Sequence, residues 1–77
     1  MKNKSDLVSV VVPAYKAEKF IAKNLLSVKK VLDQTSYAYE IICVVDGKVD
    51  RTFEEAERIA KEFPDKIEVI GYLTNLG

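Results

Sequence analysis

Three short apolar runs recur along the chain, over residues 8–12, 40–45 and 67–73. The first two are almost continuously apolar and rich in β-branched residues, which is typical of parallel strands covered on both faces. The third run alternates more strictly between polar and apolar residues, which favours a place nearer the edge of a sheet. We therefore predict three strands, with the first of them central in a complete sheet.

Two segments between these runs carry apolar residues at the three- and four-residue spacing of an amphipathic helix. The stripes consist of Phe20, Ile21, Leu25, Leu26, Val28, Val31 and Leu32 in the first segment, and of Phe53, Ala56, Ile59, Ala60 and Phe63 in the second. The first helix is predicted over residues 17–33, and the second ends before Pro64. Thr52 followed by Glu55 matches a capping box, and Asp50 is the other candidate for the cap.

This alternation of strands and helices predicts an α/β protein with the element order βαβαβ. We expect a three-layer arrangement, with helices above and below a parallel sheet of strand order 3-2-1. Such a unit is one half of a doubly wound, Rossmann-like nucleotide-binding domain. The 77 residues suffice for one small domain, which we assign to residues 1–77 as a single unit. In that strand order the first strand is an open apolar edge, so we expect a homodimer through residues 8–12, or poor solubility.

Composition excludes several classes of function. Twelve Lys and Arg residues balance twelve Asp and Glu residues, so no net charge attracts nucleic acid or an anionic membrane. The chain has no histidine and one cysteine, Cys43, which excludes a Cys/His metal site and predicts a reduced, buried thiol. No apolar run approaches the roughly 20 residues that cross a bilayer. We expect a cytoplasmic protein, or one at the cytoplasmic face of a membrane if a C-terminal anchor follows.

Candidate functional residues lie where the three strands end, because ligands of open α/β sheets bind beyond the carboxyl ends of the strands. The three ends carry Tyr15 with Glu18 nearby, Asp46, and Asn75. An aspartate can accept N–H donors from a nucleobase, a tyrosine offers an aromatic face, and a glutamate can accept ribose hydroxyls. A structural interpretation is open for each. Asp46 before a glycine is often only a turn residue, and an acid such as Glu18 in the first turn of a helix is stabilised by the helix dipole.

Known phosphate-binding and nucleophile motifs are missing from the sequence. The glycine pattern of a dinucleotide-binding loop does not follow the first strand, and there is no Walker loop. Without histidine there is no Ser/His or Cys/His nucleophile pair. We therefore expect the site to bind a planar group through hydrogen bonds, without tight binding of phosphate groups.

Taken in order, the segments at residues 8–18, 40–52 and 75–77 resemble the start of a family 2 glycosyltransferase of the GT-A fold. The resemblance covers residues 7–77 and implies a nucleoside-diphosphate sugar as ligand, UDP- or GDP-linked, with transfer of the sugar to an acceptor. The residues that it assigns to the nucleotide pocket are Pro13, Ala14, Tyr15, Glu18, Asp46, Asn75 and Gly77. Of these, Glu18 is expected near the base or ribose and Asp46 at the base.

The chain also departs from the family pattern. The family usually has Asn where Lys16 stands, and a Ser where Lys48 stands in the loop that begins at Asp46. Its Asp-x-Asp metal motif and catalytic base come later than Gly77, so we assign no catalytic or metal-binding residue in this chain. Mg²⁺ or Mn²⁺ is expected for the parent enzyme only. We therefore expect a truncated N-terminal, nucleotide-binding portion that is inactive alone. The alternative is a non-catalytic, self-associating α/β folding module.

Overall fold

A computed structural model describes residues 7–47 and 49–72 of the chain. They form five elements, which are β1 (Leu7–Ala14), α1 (Ile21–Asp33), β2 (Ala38–Asp46), α2 (Thr52–Glu62) and β3 (Ile67–Tyr72). The predicted βαβαβ order is confirmed. Within the described ranges, no helix has the length and hydropathy that a membrane crossing needs.

The three strands are parallel and lie in the order β1-β2-β3, with β2 in the centre. This is the predicted 3-2-1 order read from the other edge. β1 pairs with β2 along its whole length and ends with Ala14 opposite Val45. β3 ends with Tyr72 opposite Asp46. All three strands therefore bring their carboxyl ends to one edge of the sheet, where the candidate residues were predicted.

Both helices pack against the same face of the sheet. Ile41 and Cys43 of β2 are fully buried on this face, together with Leu25 of α1 and Ala56 of α2. Right-handed connections account for this, because two crossovers that advance in the same direction along a sheet place their helices on the same side. The described residues thus supply two of the three predicted layers. Cys43 is a free, buried cysteine as predicted, and burial raises the pKa of its thiol to about 11.

The opposite face of the sheet is open, and the prediction of a first strand covered on both faces was wrong. The residues of β1 alternate between exposed and partly buried, with Leu7 57% and Val11 58% exposed on the open face. β1 is also an edge strand among the described residues, and β2 is the central one. A run of β-branched residues does not reveal which of its faces is covered, because that depends on where the helices pack.

The helix α1 begins later, and buries less, than predicted. Residues 18–20 form a turn, closed by the N–H groups of Phe20 and Ile21 bonded to the carbonyl of Ala17. Phe20, Leu26 and Val31 were assigned to the buried stripe but are 61%, 42% and 63% exposed. A groove between α1 and β1 is open at this edge of the sheet, so the outer side of the helix is not covered by the described residues.

A polar cluster fixes the amino ends of the strands, at the opposite edge from the candidate site. The Tyr39 hydroxyl donates a hydrogen bond to Asp33, and Lys29 Nζ lies 2.9 Å from Asp33 Oδ2. These two donors, Tyr39 first, hold the pKa of the Asp33 carboxyl below its usual value. Lys66 Nζ lies over the Tyr39 ring, 4.6 Å from its centroid. The cluster ties the end of α1 to the beginning of β2 and the turn before β3.

Candidate functional site

The first part of the site is the end of β1. Pro13 is exposed, Ala14 is buried opposite Val45, and Tyr15 is 55% exposed just beyond the strand. Lys16 follows with a φ of 49°, and its Nζ lies 5.4 Å from the centroid of the Tyr15 ring. The strand continues one residue past Pro13, to Ala14, and ends before Lys16, whose left-handed conformation redirects the chain. Tyr15 and Lys16 are therefore placed at the carboxyl edge of the sheet.

Lys16 is the only residue other than glycine that has a positive φ within the described parts of the chain. The left-handed conformation brings Cβ close to the following carbonyl oxygen, which costs about 1–2 kcal/mol for an L-residue but not for glycine. We therefore expect Lys16→Gly to be more stable than Lys16→Ala by about 1 kcal/mol, since both variants lose the ammonium and only one loses Cβ. Urea denaturation of the pair measures the difference. A more stable alanine variant, the usual order at a right-handed position, would contradict the strain.

The second part of the site is the end of β2. Asp46 is the last residue of the strand and is exposed, and Gly47 after it is buried with a φ of 83°. Such a φ favours glycine, so Gly47 determines the turn. Asp46 continues the alternate residues of β2 on the open side of the sheet, whereas Val45 is fully buried on the helix side. Ala14 lies opposite Val45 on the neighbouring strand, about 5 Å away, and Tyr15 and Asp46 are the residues that follow these two partners.

The third part consists of hydrogen bonds that join the loop after β1 to the beginning of α2. Glu18 Oε1 accepts the Arg51 N–H at 2.8 Å. Thr52 Oγ1 accepts the Ala17 N–H at 2.7 Å and donates to Asp50 Oδ1 at 2.6 Å. The same Asp50 oxygen accepts the Thr52 N–H at 2.9 Å. These bonds from Thr52, its hydroxyl first, hold the pKa of Asp50 below its usual value.

Two expectations about these residues were wrong. Thr52 does not form the predicted capping box with Glu55, because it is already the first residue of α2 and its hydroxyl bonds outside the helix. Glu18 does not lie in the first turn of a helix, because α1 begins at Ile21. Its carboxylate instead satisfies an N–H at the start of α2, where an acid is also favoured by the helix dipole. Asp50 accepts an N–H at this helix start, consistent with the other predicted cap.

The structure places some members of the predicted site and leaves others outside its range. Tyr15 and Asp46 lie at the ends of neighbouring strands. Glu18 lies beside the start of α2, where its carboxylate accepts the Arg51 N–H. Asn75 and Gly77 lie outside the described residues. Sequence reasoning missed the bond between Ala17 and Thr52, because no spacing rule relates residues 35 positions apart.

The described residues do not fit a divalent metal ion. Within residues 7–47 and 49–72, no three His, Cys, Asp or Glu residues lie together in a way that could hold one. Near the strand ends, Asp50 accepts two bonds from Thr52 and Glu18 accepts one from Arg51, while Asp46 is a single exposed carboxylate at the end of β2. We therefore assign no chemical step to a metal ion bound by these residues.

Parallel strands joined by two helices, with their carboxyl ends at one edge, define this protein as half of a Rossmann-like unit of the GT-A type. A family model described as Glycosyl transferase family 2 matches residues 9–77, which is most of the chain. The chain belongs to glycosyl transferase family 2.

Three similar proteins have names that agree with this family. A protein of Haemophilus influenzae named as an uncharacterized glycosyltransferase is 39% identical over 71 residues, covering 92% of this chain and 21% of that protein. The uncharacterized glycosyltransferase YkcC of Bacillus subtilis is 35% identical over 69 residues, covering 90% and 21%. The dolichyl-phosphate beta-glucosyltransferase ALG5A of Trichomonas vaginalis is 37% identical over 76 residues, covering 91% and 23%. The chain spans about a fifth of the length of these curated relatives.

Proposed function

We propose that this chain is the part of a family 2 glycosyltransferase that binds the nucleoside diphosphate of the sugar donor. The observation that carries the proposal is the position of Tyr15 and Asp46, one residue beyond the register partners Ala14 and Val45 at the carboxyl ends of parallel strands. Membership of the family supports glycosyl transfer as the reaction of the whole protein. The proposed donor is a UDP- or GDP-linked sugar.

The proposed contacts follow from the chemistry of each side chain. The carboxylate of Asp46 accepts N–H groups from the edge of the base, and the exposed ring of Tyr15 packs on the base or the ribose. Glu18 already accepts one N–H from Arg51, and a carboxylate has capacity for further donors such as ribose hydroxyls. The residues proposed to border the same pocket are Pro13, Ala14, Asn75 and Gly77.

In this proposal residues 1–77 bind the donor but do not transfer its sugar. Transfer requires a base that activates the acceptor hydroxyl and positive charge that stabilises the departing diphosphate. The proposal assigns that base to no residue of this chain, and the described residues do not fit a metal ion. Mg²⁺ or Mn²⁺ in the whole protein is therefore proposed to use ligands from outside this chain.

Titration with UDP, GDP, CDP and dTDP, followed by backbone amide shifts, tests the proposal. We expect at least one of the four to shift the amides of Tyr15 and Asp46, with a Kd near 1 mM, equivalent to about −4 kcal/mol, for a partial site. The amide of Lys66 at the opposite edge of the sheet is the internal control and stays unshifted. Silence with all four nucleotides, or shifts centred on Lys66, would overturn the proposal.

The uncovered edge of β1 favours a second candidate function, self-association. No residue of β1 is charged, and Leu7 and Val11 are more than half exposed on its open face. On the helix side, the edge borders an apolar groove of about 340 Å³ lined by Val10 of β1 and by Ser27, Val28, Val31 and Leu32 of α1. Such an edge readily pairs with another strand. We propose that two copies pair β1 with β1 around a two-fold axis and form one six-stranded sheet.

Val11→Lys is expected to prevent this pairing, because a charged side chain on an edge strand opposes edge-to-edge contact. Sedimentation at high concentration should give twice the 8.7 kDa of one chain for the wild type and a single-chain mass for the variant. Ile70→Lys is the matched control, since it places the same charge on the same open face but on β3. A wild type that sediments as a monomer, or a control that dissociates as completely as Val11→Lys, rejects the dimer through β1.

A further inference from the structure

Thr52 is a polar residue in the interior of the protein, with 1% of its surface exposed. Its hydroxyl uses its donor and its acceptor capacity, donating to Asp50 and accepting from the backbone of Ala17. A buried hydroxyl without partners is unfavourable, so the structure depends on both groups staying within reach. The two partners belong to different segments, one after β1 and one before α2.

The role of this hydroxyl is not that of a helix cap. A capping side chain accepts an N–H from its own helix, whereas Thr52 Oγ1 accepts one from a residue 35 positions earlier. The residue at the cap position, Arg51, makes no side-chain capping bond. The start of α2 is satisfied from outside, by Glu18 and Asp50. Thr52 is therefore available to connect segments instead of closing its own helix.

The connection acts on the part of the site that the sheet itself does not fix. Strand pairing ends at Ala14 and Val45, and beyond that point Tyr15 and Lys16 lie in a loop. The bond from Ala17 to Thr52 fixes the far end of this loop, three residues after the strand. Tyr15 is thus held between two anchored positions, one in the sheet and one at the start of α2.

We propose that Thr52 is a positioning residue for nucleotide binding, which sets the loop of Tyr15 against the strand end of Asp46. The inference rests on the proposed function, since it concerns the same site. Thr52 itself does not touch the nucleotide. It acts through Ala17 and Asp50. Loss of its hydroxyl leaves the partly buried Ala17 N–H without its acceptor and removes one of the two bonds that Asp50 accepts from Thr52.

Thr52→Val and Thr52→Ser test the proposal, because valine has the shape of threonine without the hydroxyl and serine keeps the hydroxyl. The probe is whichever of UDP, GDP, CDP and dTDP gives the largest response in the wild type. We expect Thr52→Val to weaken its binding about tenfold, the effect of one lost buried hydrogen-bond connection. Thr52→Ser is expected to remain within about twofold of the wild type. Ile59→Val, which removes a methyl group from the same helix within the core, is the control for lost stability alone.

A second readout needs no ligand. Exchange of the Ala17 amide, measured relative to that of Leu25 in α1, should accelerate about tenfold in Thr52→Val and stay unchanged in Ile59→Val. If Thr52→Val does not fold, Thr52→Ala, which leaves room for a water molecule, supplies the same comparison. Equal behaviour of the valine and core variants in both readouts would overturn the inference. A wild type that binds no nucleotide defeats the proposed function, while the exchange ratio still decides whether the hydroxyl joins the loops.

Discussion

Ile41→Ala is expected to lower the free energy of unfolding by about 3–4 kcal/mol, whereas Ile42→Ala lowers it by about 1 kcal/mol or less. Ile41 is fully buried between the sheet and the helices. Ile42 is the next residue and faces the open side of the same strand. A domain of this size has a total stability of about 4–12 kcal/mol, so the first substitution removes a large part of it.

Thermal or urea denaturation of the two variants measures this difference, and each serves as the control for the other. They share the residue type, the strand and the number of atoms removed, and they differ in the face of the sheet. Similar losses at Ile41 and Ile42 would show that both faces of β2 are covered. That result would contradict the packing of both helices on one side.

Asp46→Asn is expected to weaken binding of the nucleoside diphosphate that the wild type prefers by about 10–100-fold. A hydrogen bond to a charged acceptor contributes about 1.5–3 kcal/mol, and the amide also presents donors where the base offers its own. Binding is measured by the amide-shift titration described above. The change of a single atom leaves the strand and its register intact.

The control is Asp65→Asn, in the turn between α2 and β3 at the opposite edge of the sheet. It removes the same charge from the chain, so a loss of affinity through overall charge affects both variants equally. Equal affinities for the two variants therefore refute a contact between Asp46 and the base. A loss confined to Asp46→Asn supports it.

The order and type of the elements were predictable because they depend on local periodicity and on the handedness of connections. The spacing of Ile21 and Leu25 marks α1, and both residues are buried in the core as their spacing indicates. The turn after β2 was predictable from Gly47. Its φ of 83° is unfavourable for most other residues, whereas glycine adopts it without strain. The strand order was predictable because strands that follow one another along the chain usually lie side by side in the sheet.

The remaining features depend on contacts between distant parts of the chain. The exposure of Val31 follows from the position of α1 beside an edge strand, which its own amphipathic pattern does not contain. The late start of α1 goes with the bond between Ala17 and Thr52, which is a tertiary contact. Lys16 occupies a left-handed position, which its residue type does not favour and which the sequence pattern does not reveal.

Cys43 lies in the middle of the central strand, with no exposed surface and a thiol that remains protonated at neutral pH. An alkylating reagent dissolved in the buffer attacks a thiolate, so it modifies this sulfur only in molecules whose sheet has come apart. The chain has one such sulfur, so every adduct records the same event. At saturating reagent, the rate of alkylation therefore equals the rate at which the sheet opens spontaneously, and its measurement requires no engineered label.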